Sequence, residues 1–122
     1  MSEILFYSPD DLKPHNKALS LIPPLERDDL EVLERDIAQH DVRVPLAITP
    51  EKTILDGCHR WRIARKLRLP ILPCQVFRFA SEEEAEEFII TVNLARRHLT
   101  TAQKAVLGLA LLKIESRTYA VL

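Results

Sequence analysis

The residues best suited to chemistry lie together in one short stretch, Asp-Gly-Cys-His-Arg-Trp-Arg, at positions 56–62. Gly57 stands at the expected change from a strand to a helix, where the first helical N–H groups have no partner within the helix. Those donors, the positive end of the helix dipole and the missing side chain together suit a phosphate group. The stretch is therefore a candidate anion site. From the spacing alone, a solvated basic helix with Asp56 as its N-cap explains it equally well.

Basic side chains on the helix predicted after Gly57 could complete such a site. His59, Arg62 and Lys66 recur at i, i+3 and i+7, so they share one helical face. Arg60 flanks that face, and the planar guanidinium group of arginine can bind two phosphate oxygens at once. Charge-assisted hydrogen bonds from this face are the interactions expected to hold an anion.

Cys58 has two opposed interpretations. A thiol at a helix N-terminus beside His59 and Arg60 should have a lowered pKa and act as a nucleophile. The alternative, which we favour, is a small residue that fills a tight turn. Trp61 could stack on a base, but packing is the commoner use of a tryptophan one turn into a helix, and Cys74 is expected in the core of a strand.

A second polar segment, at residues 92–100, separates two predicted helices. Its sequence, Val-Asn-Leu-Ala-Arg-Arg-His-Leu-Thr, brings the amide of Asn93 and the guanidinium groups of Arg96 and Arg97 close together along the chain. Taken alone, this segment is typical of an ordinary charged loop at a helix end.

The composition limits the class of protein. The 122 residues are 47% hydrophobic and 29% charged, which is typical of a globular domain. The net charge of −1 and the pI near 6.4 do not favour general nucleic-acid binding, so an anion site must be local. Two cysteines provide neither a disulfide framework nor a zinc site, and no metal site is predicted. No apolar run approaches the roughly 20 residues of a membrane span, so we expect a cytoplasmic protein without a membrane partner.

The expected elements form an α+β fold, a small mixed β-sheet packed with helices and followed by a helical C-terminal part. All eight prolines lie within the first 73 residues, which favours strands and loops there. Capping boxes at Ser81/Glu84 and Thr100/Gln103 predict the starts of the last two helices. The remaining expectations are an irregular or edge segment at 1–24, helices at 25–40 and 58–69, and strands at 44–49, 53–55 and 71–79.

The helix predicted after Thr100 is apolar over more than one face. Leu107, Leu111 and Ile114 recur at i, i+4 and i+7, and further apolar residues widen the stripe. We therefore expect a homodimer formed through the helix at 100–115. The predicted organisation is an α+β domain at 1–99 and a helical arm at 100–122.

Three segments together resemble the ParB N-terminal domain and the wider ParB–sulfiredoxin superfamily over about residues 20–112. Residues 57–62 are similar to the family's Gly-Glu-Arg-Arg-x-Arg box, and Val44-Pro45-Leu46 is similar to its Gln-Pro-Leu segment. In the Glu-Asn-x-x-Arg-x-x-Leu box, Asn93, Arg96 and Leu99 match. The order and the spacing of the three segments agree with the family.

This resemblance implies a domain that binds CTP or another nucleoside triphosphate, with Mg²⁺ as an accompanying ion and weak NTPase activity as an open question. The protein would be a DNA-binding partition or regulatory protein, associated with the nucleoid, whose DNA contacts lie outside this chain. The resemblance makes residues 1–99 the nucleotide-binding domain and the arm at 100–122 the start of that helical DNA-binding region. The residues implied to line the nucleotide are Gly57, His59, Arg60, Arg62, Asn93, Arg96 and Arg97.

The chain also departs from the family, and the departures keep an enzymatic alternative open. Cys58 and Val92 stand where the boxes carry glutamate, which puts magnesium coordination and hydrolysis in question. The Asp-Gly-x-His-Arg version resembles free-serine kinases, which would give Asp56 and His59 roles in phosphoryl transfer. Gly-Cys-His-Arg is similar to the sulfiredoxin box, which would make Cys58 the reactive residue. No paired acids of a two-metal nuclease are present in the pattern, so that function is not predicted.

Overall fold

The computed structural model of the chain describes residues 3–95 and 100–121, and the surroundings of side chains 4–95 and 100–115. Within these ranges it confirms the α+β fold, a mixed sheet packed with helices. The elements are β1 (Glu3–Tyr7), a 3-10 helix (Pro9–Asp11), β2 (Lys13–Pro14), α1 (Asn16–Leu21), α2 (Arg27–His40), β3 (Leu46–Ile48), β4 (Thr53–Asp56), α3 (Cys58–Lys66), β5 (Leu72–Val76), α4 (Glu82–Leu94) and α5 (Thr101–Val121).

The sheet has the strand order β1-β5-β3-β4-β2. β3 lies at its centre, parallel to β5 and antiparallel to β4, with Ala47 opposite Asp56. β1 pairs antiparallel with β5, and β2 pairs parallel with β4. The end of β4, where the Asp-Gly stretch begins, thus lies beside the start of the central strand.

Helices cover both faces of the sheet. On one face α2 and α3 bury a core that contains Leu46, Ile54 and Cys74, and on the other α1 and α4 pack over Ala47 and Leu55. All three residues of β3 are buried because both of its faces are covered. The strand register therefore fixes which side chains reach each layer.

Several elements differ from those predicted from the sequence. The 1–24 segment contains helix α1, which was not predicted because prolines surround it. The segment also contains β1, which lies at the edge of the sheet as expected. Helix α3 ends at Lys66, three residues earlier than predicted, because Arg68 adopts a left-handed backbone with φ 58°. Both predicted helix starts are confirmed. Thr100 and Gln103 exchange the two hydrogen bonds of a capping box, whereas Ser81 Oγ accepts from the Glu84 N–H and the Glu84 carboxylate accepts from the N–H of Ala80.

Helix α5 packs on α4 through one face. Leu107 and Ile114 are buried against Ile90, as their shared helical stripe predicted. On the remaining surface, Val106 and Leu109 are exposed. The helix is thus anchored on one side, while the domain boundary predicted at residue 99 stays a prediction.

Candidate functional site

The turn from β4 into α3 requires glycine for two separate reasons. Gly57 is the N-cap of α3 and has φ 104°, a backbone conformation that side chains disfavour. A Cβ at this position would lie 2.7 Å from Leu46 Cγ on the neighbouring strand and 3.1 Å from Arg60 Nη2. The absence of a side chain thus lets β4, α3 and β3 meet closely.

The N-terminus of α3 is open toward a cleft of about 750 Å³. That volume lies within the range typical of small-molecule sites, roughly 300–1,000 Å³. One end of the cleft is polar and mainly cationic, and its lining comprises Asp56, Gly57, His59, Arg60, Arg62 and Asn93. The structure thus brings together all the predicted site residues that lie within its described ranges.

The other end of the cleft is apolar. It is lined by side chains from α1, the connection between α1 and α2, α2 and the segment before β3, namely Ala18, Leu19, Ile22, Leu25, Leu33 and Val44. Asp29, on the first turn of α2, adds one exposed carboxylate. The cleft is consequently suited to a ligand with an anionic part and an apolar part.

Sequence reasoning missed the apolar end, because it lies on elements far from the motif. The Leu19 and Ile22 contributions depend on α1, which the sequence did not predict. The only signal was the spacing of Ala18 and Ile22 at i, i+4 on a short helix, which is too short to be distinctive.

Arg62 is the cation of α3 best placed to meet an anion in the cleft. Its side chain is exposed, and within the described ranges it forms no hydrogen bond or ion pair. The other predicted face residues differ in position. His59 is half-buried at the cleft, whereas Lys66 lies 2.7 Å from Glu34 Oε1 on α2, away from the lining.

Arg60 is largely buried, with its side chain 13% exposed. Its Nη1 donates to the backbone oxygens of Val44, at 2.7 Å, and Pro45, at 3.3 Å. Its Nη2 lies 3.6 Å from Asp56 Oδ2. The guanidinium group is therefore engaged by the protein itself, a state that the helical spacing did not indicate.

Cys58 does not show the lowered pKa that the nucleophile interpretation requires. Burial, assisted by the Asp56 carboxylate, raises the pKa of the thiol to about 11, although Arg62 and Arg60 act in the opposite direction. Its side chain packs against both core clusters. At neutral pH the thiol is protonated, so the residue acts as a small packing group at the turn.

Trp61 and Asn93 are held by contacts within the protein. Trp61 Nε1 donates to the Pro9 backbone oxygen at 2.8 Å and the ring is buried, which agrees with packing rather than base stacking. Asn93 is buried at the cleft, and its Nδ2 donates to the Ile89 backbone oxygen at 2.8 Å. The predicted Arg96 and Arg97 lie outside the described residues.

The donor set does not fit a magnesium ion held by the protein. Among the described residues, no group of three or more His, Cys, Asp or Glu side chains is placed to hold a metal. Asp56, the carboxylate at the polar end, is paired with Arg60, and Cys58 and Val92 replace the glutamates of the family boxes. No chemical step through a metal follows from these residues.

No helix in the described part of the chain has the length and apolar character needed to cross a membrane.

Solved structures with the same fold include ParB domains. A Pnob8-like ParB-N domain aligns with a TM-score of 0.84 and 22% identity, over 99% of this chain and 49% of that one. The C-terminally truncated chromosome-partitioning protein ParB from Caulobacter crescentus, complexed with CTP-γ-S, aligns with a TM-score of 0.66 and 24% identity, over 85% of this chain and 59% of that one. Sulfiredoxin from Arabidopsis thaliana aligns less well, with a TM-score of 0.51 and 20% identity over 63% of this chain and 86% of that one.

Similarity in sequence assigns the family. The protein ORF326b of Acidianus two-tailed virus is 34% identical over 96 residues, which are 79% of this chain and 29% of that protein. The chain thus spans less than a third of this relative's length. The family described as the ParB N-terminal domain matches residues 7–94, which contain the cleft and the turn at Gly57. The chain belongs to the ParB N-terminal domain family.

Proposed function

We propose that this chain is the nucleotide-binding module of a DNA-partition or regulatory protein, with CTP or another nucleoside triphosphate as its ligand. The observation that carries the proposal is the open N-terminus of α3 at the cationic end of a cleft whose other end is apolar. The Caulobacter ParB complex with CTP-γ-S supports the choice of ligand.

In this proposal the phosphates lie at the start of α3. The backbone N–H groups at the start of α3 and the helix dipole attract them. Arg62 supplies a charge-assisted contact, and His59 and Asn93 border the same end. Arg96 and Arg97 remain proposed ligands from the adjoining segment.

The base and sugar extend toward the apolar end. The aliphatic side chains of Leu19, Leu25 and Val44 can contact the faces of a base and remove it from water. Any magnesium ion would have to arrive with the nucleotide, since phosphates and waters commonly supply most Mg²⁺ ligands.

DNA binding, in this proposal, belongs to a region outside the 122 residues. The near balance of 18 acidic and 17 basic residues fits that division. The exposed apolar face of α5 would join two copies as a homodimer, and its closeness in sequence to Asn93 could couple nucleotide occupancy to assembly.

Calorimetry with CTP, ATP and ADP, each with and without magnesium, tests the binding site. We expect Arg62→Ala to weaken binding by about 1.5–3 kcal/mol, the usual worth of a hydrogen bond to a charged group. The matched control is Lys66→Ala, which removes one positive charge from the same helix outside the cleft. An absence of binding by all three nucleotides at millimolar concentration would exclude the proposal.

An enzymatic function is the second candidate, and the proximity of Asp56 and His59 to the cleft favours its kinase form. These two residues would serve phosphoryl transfer from a bound nucleoside triphosphate to a small hydroxyl compound. Formation of a phosphorylated product with free serine, measured for the wild type, Asp56→Asn and His59→Ala, tests it. The sulfiredoxin-like form is disfavoured because burial raises the pKa of Cys58.

A further inference from the structure

The chain leaves the sheet at Gly57, opposite the segment that leads into β3. Ala47 lies opposite Asp56 in the antiparallel β3–β4 ladder, so the residues before β3 would face the continuation of β4. The chain instead turns into α3 at Cys58. The carbonyls of Val44 and Pro45, in the segment before β3, accept hydrogen bonds from a side chain of α3.

Arg60 provides those donors. Its Nη1 donates to Val44 O at 2.7 Å and to Pro45 O at 3.3 Å, so one side chain joins α3 to the segment before β3. Its Nη2 approaches Asp56 Oδ2 at 3.6 Å. It also lies 3.1 Å from the point that a Cβ of residue 57 would occupy, so the guanidinium group passes directly over the glycine.

These contacts join two neighbouring parts of the cleft lining. Val44 is one of its apolar residues, whereas Asp56 and Gly57 lie where α3 begins. A guanidinium group is rigid and planar, so its bonds fix the distance between the partners it joins. The Arg60 and Asp56 side chains are only 13% and 16% exposed, which limits screening of their interaction by water.

We infer that Arg60 is a positioning residue and that Arg62 is the phosphate contact, although both are cations of the same helix. Arg60 sets the separation between the apolar wall at Val44 and the phosphate end at Gly57. This inference rests on the proposed nucleotide function, and it divides the two arginines by role.

A series of ligands that differ only in phosphate number separates the roles. Affinities for the mono-, di- and triphosphate of one nucleoside are measured by calorimetry for the wild type, Arg60→Lys and Arg62→Lys, with Lys66→Ala as the control. A positioning role for Arg60 predicts that Arg60→Lys weakens all three ligands by a similar factor, about tenfold or more, since lysine cannot hold two carbonyls and a carboxylate in one plane. Arg62→Lys keeps the charge and should change each affinity by only a few-fold.

The dependence of affinity on phosphate number in the corresponding alanine variants is the second measurement. Arg62→Ala should lose more affinity with each added phosphate, whereas the loss for Arg60→Ala should not depend on phosphate number. Hydrogen exchange of the amides at 46–48 should increase in Arg60→Lys and stay unchanged in Arg62→Lys, because only the first loosens the entry to β3. This measurement needs no ligand, and it still reports on Arg60→Lys if Arg60→Ala fails to fold.

Three outcomes would overturn the inference. A loss in the Arg60 variants that grows with phosphate number would make Arg60 a phosphate ligand. Full affinity of Arg60→Lys for every member of the series would show that only its charge matters. If the wild type binds none of the ligands, the proposed function fails and the inference fails with it, whereas either of the first two outcomes leaves nucleotide binding intact.

Discussion

The turn at residues 56–62 and helix α5 both carry sequence patterns that predict a function, a basic motif and an apolar stripe, but the fold constrains them differently. At the turn, Gly57 is fixed by its backbone angle and by Leu46, and Arg60 by two carbonyl groups. In α5, Leu107 is fully buried, whereas Leu109, two positions away, is 60% exposed. The turn is constrained on all sides and the helix on one.

This difference reflects how each region meets the sheet. Where a strand turns into a helix at the sheet, the surrounding elements compete for the same space and for the same backbone hydrogen bonds. A helix in an outer layer needs only one apolar face to be held in place. Its outer face can then be used for a partner without disturbing the fold.

The largest expected difference in stability is between substitutions at a buried and at an exposed leucine of α5. Leu107→Ala removes a fully buried side chain and should reduce the free energy of unfolding by about 2–5 kcal/mol. Leu109→Ala removes an exposed one and should change it by about 0.5 kcal/mol or less. Urea denaturation of both variants provides the measurement. Equal effects would contradict the one-sided anchoring of the helix.

The next largest difference in stability is expected between alanine substitutions at the two glycines, Gly57 in the turn and Gly108 in α5. Gly57→Ala forces a side chain into a left-handed conformation and against Leu46, which should cost about 2–4 kcal/mol. Gly108→Ala meets no atom within 4 Å inside a helix and should stabilise the protein by about 0.5–1 kcal/mol. Thermal unfolding of both variants is the test, and a neutral Gly57→Ala would show that the turn can relax.

Self-association tests the outer face of α5. Val106, Leu109 and Leu112 are each about 60% exposed and form the patch proposed as the homodimer interface. Leu109→Glu should raise the dimer dissociation constant at least tenfold, because burying one leucine is worth about 1.5–3 kcal/mol. Light scattering over a concentration series, with and without nucleotide, measures this change.

The control for that experiment is Val32→Glu, which places the same charge at an exposed apolar site on α2. It should leave assembly unchanged. A wild-type protein that remains monomeric at all concentrations, with and without nucleotide, would remove the dimer from the proposal.

The smallest expected effect is on the pH dependence of stability, through the thiol of Cys58. Because the pKa of Cys58 is about 11 in the folded protein and nearer 9 when unfolded, the unfolded state loses its proton first as the pH rises. The contribution of this thiol to stability should be complete below pH 9 and decline between pH 9 and 11. Unfolding by urea at pH 8, 9 and 10 should show a shallower decline in Cys58→Ser than in the wild type.

Cys58→Ser should also retain nucleotide binding, because the residue acts by packing. Loss of binding, or of a phosphoryl-transfer activity, specifically in this variant would restore a chemical role for the thiol.

The sequence by itself determined the elements with strong local signals. The two capping boxes located the starts of α4 and α5, because the capping side chains bind backbone groups only three residues away. The Asp-Gly stretch identified the turn at Gly57, and the three motif segments indicated the family. Helix α1 escaped prediction because a six-residue helix between prolines carries too little periodic signal.

Only the tertiary structure decided which partners the cations of α3 have. On a helical wheel Arg60, Arg62 and Lys66 are all candidates for a phosphate contact. In the folded protein Arg60 donates to the carbonyls of residues 44 and 45, and Lys66 forms an ion pair with Glu34. The raised pKa of Cys58 likewise depends on burial between two core clusters. Local sequence fixes which groups a helix carries, while their partners come from segments distant in the chain, so the role of each group follows from packing.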